Sequence, residues 1–444
     1  MSASQRLRSS LLAVLFGARA QAFKRRCAEL KRKLTGRAHT LHVFLELDDP
    51  YSYLLSLHVP ELERRYDVDV RVHLTEARGD GFRPHPDMLA GLAQQDCERV
   101  ASELGVPFLD HGAAPPVEHR RALVNTLAAT DAATFETELL QSIGLYWRGD
   151  ALGVARRIES APGNDIGNAM LQRSQKLLGK LGHYSAATVF YGGEWYWGVD
   201  RLHYLTERLD ELQLRKDDAP SPGLPDMLQL EQVSLPVSPP GGAAELPPLE
   251  FFFSIRSPYS YLALPRVFAI ADAFGLGLDL RPVLPMAMRG LQVPFAKMRY
   301  IAADTFREAR RQGLPYGKFA DPLGAGVERF LAVFFYAKSE RKARDFLLNA
   351  ATAIWSEAAD VATDKGLRKI TGRTGLFWPD VKAAISSDEW REIVEENRAS
   401  MMASGSWGVP TLRLGEFTVW GQDRLWLLVR HLEEQCDAGE GILI

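Results

Sequence analysis

Cysteine is scarce in this chain: Cys27, Cys97 and Cys436 are the three in 444 residues. An odd number, with no two at redox or zinc-ligand spacing, excludes a disulfide scaffold and a structural zinc site. Thiols that stay free fit a reducing compartment, so a cytoplasmic protein is expected. No apolar run approaches the roughly 20 residues that a membrane-spanning helix needs. The formal net charge is only -3, too small to draw the whole molecule onto nucleic acid. What is present, 46% hydrophobic and 25% charged residues, is a globular composition. Its length exceeds what one hydrophobic core serves, so two or three domains are expected.

The charge is unevenly spread. Ten lysines and arginines lie between Arg6 and Arg37, against the single acid Glu29. The apolar stretch 11–16 is too short for a signal peptide, and Ala18-Arg19-Ala20 is a poor cleavage point. Residues 1–38 read either as a basic amphipathic helix that touches anionic lipid or a partner, or as a solvated leader helix.

Residues 215–248 carry Pro220, Pro222, Pro225, Pro236, Pro239, Pro240, Pro247 and Pro248 with Gly241-Gly242. Such a composition suits neither ladder nor helix and reads as an interdomain linker. The flanking halves repeat one another. Asp49-Pro50-Tyr51-Ser52-Tyr53-Leu54 returns as Ser257-Pro258-Tyr259-Ser260-Tyr261-Leu262, so Pro50 and Pro258 set an offset of 208. The same offset places Asp96 on Asp304, Gly105 on Gly313 and Pro107 on Pro315. Near each end, Trp197-Gly198-Val199-Asp200-Arg201-Leu202 matches Trp420-Gly421-Gln422-Asp423-Arg424-Leu425 at an offset of 223 (Asp200 to Asp423). The second copy has therefore gained fifteen residues between these motifs.

Each copy has one grammar. A short apolar strand (41–47, 249–255) meets Pro and turns into a helix; a second strand follows (68–74, 278–283). A long helical region (87–178, 297–402) leads to two short strands around a Gly turn (188–196, 411–419) and a terminal amphipathic helix. The order βαβ, helices, ββα predicts an α/β fold of two tandem thioredoxin-like domains, each with an inserted helical subdomain. The expected boundaries are a basic helix at 1–38, a degenerate domain at 39–214, the linker at 215–248 and a second domain at 249–436.

Ser257-Pro258 stands where the first strand of the second copy becomes a helix. Ser is a preferred N-cap and Pro a preferred first helical residue, which by itself explains both. A hydroxyl at a helix N-terminus also faces the positive end of the dipole, where an anion is favoured. Trp407-Gly408-Val409-Pro410-Thr411 precedes a strand, where proline is unusual. A cis Val409–Pro410 bond would account for it and turn the Val409 backbone outward to pair with an extended peptide; were Ser257 absent, a trans proline opening an edge strand would be the better account.

Ser-Pro-Tyr-Ser-Tyr at 257–261, Gly-Val-Pro-Thr at 408–411 and Trp-Gly-Gln-Asp-Arg-Leu at 420–425 together resemble kappa-class glutathione transferases and 2-hydroxychromene-2-carboxylate isomerases. These are a cysteine-free branch of the DsbA-like thioredoxin superfamily. The resemblance extends to Lys297, Tyr300, Asp304 and the segment Ile385 to Trp390. It implies glutathione as cofactor, its thiolate held by the Ser257 hydroxyl and its peptide by Val409 before Pro410. Gln422 and Asp423 would receive the γ-glutamyl end. Lys297 would meet a glutathione carboxylate or an acidic substrate, or else be a solvated lysine. A thiol of pKa ~8.5 must lose roughly two units, ~2.7 kcal/mol, to be mostly ionised at neutral pH. A hydrogen bond to sulfur plus a helix N-terminus supplies that order of energy. With no cysteine at the thioredoxin position, disulfide exchange is excluded.

The first copy departs at both decisive places, with Asp49 for the serine and Ala187 for the proline. An ionised Asp repels a thiolate and is itself an excellent N-cap, so this copy reads as a scaffold. Its histidines, from His42 to His203 and including His111, lack metal-ligand spacing and read as scattered surface residues. The expected function is glutathione-dependent isomerisation or transfer on a small aromatic or unsaturated apolar substrate, with Met286, Met288, Phe295, Trp378 and Trp407 either walling it or packing the core. The alternative is a non-enzymatic binding protein recruited by its basic head. The two copies are expected to pair as an internal pseudo-dimer.

Overall fold

In the computed structural model, residues 15–76, 82–109, 117–159, 161–162, 165–223 and 226–440 are described. The chain divides into two compact units. One comprises residues 23–232 with 294–297; the other comprises 1–22, 233–293 and 298–444.

The first unit is built on β1 (Thr40–Leu45), whose Leu41, Val43, Phe44 and Leu45 are fully buried. A strand covered on both faces needs such a continuous apolar run. It pairs in parallel with β2 (Asp69–Leu74) and antiparallel with β3 (Thr188–Tyr191), and β4 (Glu194–Trp197) closes the hairpin. Gly192 and Gly193 carry the turn with φ of 51° and 89°, a region open to glycine without penalty. The helices are α1 (Ala18–Leu34), α2 (Pro50–Arg65), α3 (Pro86–Leu104), α4 (Val117–Ala128), α5 (Phe135–Trp147), α6 (Ala151–Ile158), α7 (Gly167–Leu181) and α8 (Leu202–Glu211).

The second unit repeats this plan with β5 (Leu249–Phe253), β6 (Leu278–Pro282), β7 (Thr411–Leu414) and β8 (Phe417–Trp420). The strand orders, β2-β1-β3-β4 and β6-β5-β7-β8, are the same. Its helices are α9 (Pro258–Phe274), α10 (Phe295–Arg311), α11 (Ala325–Ser339), α12 (Ala343–Ser356), α13 (Asp364–Thr374), α14 (Trp378–Ala384), α15 (Trp390–Ala403) and α16 (Leu425–Glu440). Helix α9 is buried along most of its length and packs on α12 and α16. Each strand expected from sequence is present with its ends shifted by a residue or two.

Four hydrogen bonds, three of them long-range, recur at the same spacing. Tyr51 donates to Asp96 (2.8 Å) as Tyr259 does to Asp304 (2.9 Å). Tyr53 donates to the Pro107 carbonyl and Tyr261 to that of Pro315. The Trp147 indole N–H meets the Leu47 carbonyl, and that of Trp355 meets Ile255. The Ser52 hydroxyl accepts from the Glu46 amide, and Ser260 from Ser254. Trp147 and Trp355 keep the 208 offset, so the fifteen residues by which the second unit is longer between the shared motifs fall after Trp355. There the second unit has three helices, α13 to α15, where the first has α6 and α7.

Two expectations need correction. The proline-rich stretch is not wholly irregular: Asp226 caps one turn of helix at Met227–Leu230, whose Met227 and Leu230 are buried. The first unit's histidines are not all surface residues either: His85 is exposed, but others are buried or half-buried. His183 and His203 are buried, and His42 and His73 stack on the sheet with a 3.0 Å hydrogen bond. Burial there holds the His73 imidazole down to about 4, so apolar neighbours tolerate it as a neutral ring. His111 lies outside the described residues, as do residues 1–14 of the basic head.

Candidate functional site

The end of β5 delivers Ser257 to the start of α9. Its backbone is extended (φ -88°, ψ 116°) and its Oγ accepts from the Ser260 amide at 3.2 Å, an N-cap followed by Pro258 at the first helical position. This caps one of the helix's orphan amides. The same hydroxyl lies 3.5 Å from the Val409 carbonyl, to which it donates a long hydrogen bond. Ser257 and Val409 are both half-buried. The structure thus joins residues 152 apart in sequence at one helix N-terminus.

The Val409–Pro410 bond is cis, the first of the two accounts of a proline before a strand. The loop is held from behind. The Thr411 hydroxyl donates to the Gly408 carbonyl (2.7 Å) and meets the Ser406 hydroxyl (2.7 Å), and both side chains are fully buried. The Pro410 carbonyl accepts from the Gly421 amide. Gly408 lies against the Trp420 indole, where an added Cβ would come within 2.8 Å of Nε1. Val409 packs on the small cluster of Phe252, Val283 and Met401.

Sequence reading missed Arg289. It ends the single 3-10 turn after β6, and its guanidinium donates to the Trp407 carbonyl at 3.0 Å, on the loop that carries Val409. Burial lowers its pKa, yet an arginine stays cationic at neutral pH. Nothing local in Met286-Ala287-Met288-Arg289 marks it, because its partner is 118 residues away.

Gln422 is buried, and its amide is engaged by Glu308 (3.0 Å), Gln312 (2.8 Å), Arg266 and Asp423. Four residues before Glu308 on α10, buried Asp304 accepts from Tyr259 and pairs with Arg307 at 2.7 Å. Asp423 is half-buried beside Gln422. Lys297 lies within residues 294–297, which group with the other unit; its amine donates to the Phe82 carbonyl (3.4 Å) and burial lowers its pKa. Its side chain is half-buried rather than an exposed, solvated one. Of the expected substrate wall, Trp407 is buried against Trp420, Met286 and Met288 are half-buried, Trp378 lies under Arg368 and Phe295 is exposed.

The corresponding place in the first unit has different chemistry. Asp49 caps α2, accepting from the Ser52 amide (3.0 Å) and hydroxyl (2.7 Å). Burial raises its pKa. Glu46, where the second unit has Ser254, is buried and pairs with Arg83 at 2.6 Å. Burial pushes its carboxyl up to about 7 against the pull of Arg83. Ala187, where the second unit has Pro410, has φ of 52°, a left-handed conformation unusual for alanine. Among the described residues, no group of three or more His, Cys, Asp or Glu is placed to hold a metal, and no helix is long and apolar enough to cross a membrane.

A parallel pair, an antiparallel hairpin and a helix-starting loop facing a cis proline define a thioredoxin-like sheet. Residues 248–433 match the family model of the DSBA-like thioredoxin domain, and the C-terminal half of the chain is such a domain. Relatives similar to about two fifths of the chain share one name. A 2-hydroxychromene-2-carboxylate isomerase of Pseudomonas putida is 26% identical over 199 residues, which cover 42% of this chain and 95% of the relative. One of Sphingobium xenophagum is 24% identical over 203 residues, covering 41% and 97%. Among solved structures, a 2-hydroxychromene-2-carboxylate isomerase is similar at 24% identity and a TM-score of 0.39, covering 44% of this chain and 99% of that one.

Proposed function

We propose that the second unit binds glutathione at the α9 N-terminus and isomerises, or conjugates, an aromatic or unsaturated substrate. The observation that carries this reading is the Ser257 hydroxyl at the first turn of α9, joined to the half-buried Val409 backbone. The name shared by the relatives, a chromene carboxylate isomerase, makes isomerisation the first choice.

The residues fit the cofactor. The 3.5 Å bond from Ser257 to Val409 is long and weak, so the hydroxyl is easily redirected to a sulfur anion. The α9 dipole adds positive potential at the same point. Val409 supplies backbone groups for an extended tripeptide, and Thr411 and Ser406 fix the loop that presents them. Arg289 supplies a cation for a carboxylate of the tripeptide or of the substrate, the part assigned from sequence to Lys297. Asp423 remains the acceptor for the γ-glutamyl ammonium; Gln422 supports it from within the buried network. When bound, glutathione supplies a thiolate that adds reversibly to a conjugated double bond, so that rotation and elimination change the geometry with no net consumption of thiol.

The first unit is proposed to be a degenerate copy of the same domain that binds no glutathione. Buried Asp49 and Glu46 would oppose a thiolate, and its task would be to pair with the second unit as an internal pseudo-dimer. Calorimetric titration with glutathione tests the enzyme reading. Binding is expected, and Ser257→Ala should raise the pKa of the bound thiol while changing affinity less. Absence of heat and of thermal shift at saturating ligand would sink the proposal and leave a non-enzymatic binding protein.

A further inference from the structure

Helix α1 has no buried residue, although it is held in place: Arg25 pairs with Glu194 (3.0 Å) and Glu211 (3.2 Å). Its outward face is apolar. Phe23, Leu30 and Leu34 are 68%, 59% and 79% exposed, and Cys27, between them, is exposed too. At about 100° per residue these four positions fall within about 60° of one another, a single stripe along three turns. Lys24 and Lys31 flank the stripe on one side, and Arg26 and Lys33 on the other; all four are exposed. The helix's sole acid, Glu29, lies on the far side, where it is held by Arg32 at 2.7 Å, with Lys33 reaching it at 3.7 Å.

We propose that this face is a docking surface for an anionic phospholipid bilayer, with Phe23, Leu30 and Leu34 entering the headgroup boundary and the four flanking cations meeting lipid phosphates. A soluble protein gains nothing from an apolar stripe open to water, and a cationic border on both sides is what an in-plane helix needs. Charge selects the occupant. A second copy of the same face would bring four cations against four, and an apolar centre offers nothing to a nucleic-acid backbone. The placement of Arg25 and Arg32 on the opposite side leaves the helix folded and presented before any membrane is met, which lowers the ordering cost of binding.

The test uses the full chain. Cys97 and Cys436 are buried, so an environment-sensitive fluorophore on Cys27 reports from the stripe itself. Phosphatidylcholine vesicles containing phosphatidylserine should co-sediment the protein and shift the probe's emission to the blue, with both effects fading in high salt. Pure phosphatidylcholine should give neither. Replacing Lys24, Arg26, Lys31 and Lys33 by Gln should weaken binding by roughly six hundredfold, since each cation near an anionic surface contributes about fivefold. Phe23→Ser with Leu30→Ser should weaken it by tenfold or more. These side chains are exposed, so circular dichroism should show both variants folded. Binding unchanged in the apolar variant, or an unshifted probe on anionic vesicles, would overturn the proposal. A shift with an acidic polypeptide but not with vesicles would overturn it too and assign the face to a protein partner.

Discussion

If Ser257 holds a thiolate as proposed, as well as capping α9, one substitution can separate the two roles, because the first unit displays an acid at the corresponding position. Asp49 caps α2 as Ser257 caps α9, with a 3.0 Å bond from the third residue's amide. Ser257→Asp should therefore keep the helix cap, whereas Ser257→Ala removes it at a cost of about 1 kcal/mol. The chemistry should divide the other way. Two unit charges about 4 Å apart at an effective dielectric of about 20 repel by about 4 kcal/mol, roughly three pKa units. Ser257 is half-buried, so solvent screening makes this an upper bound.

Ser257→Asp should leave thermal unfolding close to that of the parent, yet drive the bound thiol's pKa above that of free glutathione. Whichever group carries the charge, carboxylate and thiolate cannot both ionise cheaply at that distance. The assay is ultraviolet thiolate absorbance against pH for the glutathione complex, run beside a thermal melt. Equal titration curves for parent, Ala and Asp variants would show that Ser257 is only a cap and refute the thiolate reasoning. An Asp variant that melts as early as the Ala variant would refute the capping reasoning instead.

Gly408→Ala would place a Cβ within 2.8 Å of the Trp420 indole, so it should cost about 1–3 kcal/mol in a urea melt and weaken glutathione binding, while unchanged affinity would detach this loop from the site. A fragment beginning near Leu246 should aggregate or self-associate in size-exclusion chromatography if the two units pair; a stable monomer with full glutathione affinity would refute the pseudo-dimer. Glu46, raised by burial from 4.5 to about 7 beside Arg83, Asp48 and Asp49, binds its proton more tightly folded than unfolded. Its contribution to stability is thus full below the ordinary value and lost as pH rises toward 7, so Glu46→Gln should flatten the melting temperature across that window; an unchanged slope would refute it.

The order of elements was legible because local signals agreed with the fold. Apolar runs at β1 and β5, caps at Asp49 and Ser257, and the proline before β7 each carry their own reason. The repeat was legible from a fixed offset, and the hydrogen bonds from Tyr51 and Tyr259 follow it. What sequence did not reveal depends on partners far away along the chain. Arg289 acquires its role only from the Trp407 carbonyl, and Glu46 is an ordinary acid until Arg83 and burial act on it. The histidines were misjudged for the same reason: polarity suggested a surface, while stacking within the sheet made neutral rings cheap to bury.

The two units differ most at the point where the shared plan would hold an anion. In the second, serines stand at 254 and 257, a proline at 410 and a cation at 289. In the first, carboxylates at 46 and 49 replace both serines, and Arg83 is already spent on Glu46. Reverting Asp49 to serine alone would leave Glu46 facing the same helix N-terminus. Restoring an anion site there therefore requires changing both acids, since either one left behind still opposes a thiolate within the same buried space. The stoichiometry of a glutathione titration of the Asp49→Ser, Glu46→Ser double variant, against each single variant, counts any site beyond the one proposed in the second unit and so tests whether charge alone keeps glutathione out of the first. A second equivalent bound only in the double variant would support charge as the cause. If none of the three gains a second equivalent, charge is not sufficient, and the left-handed Ala187 loop, which lacks the proline, is the next difference to change.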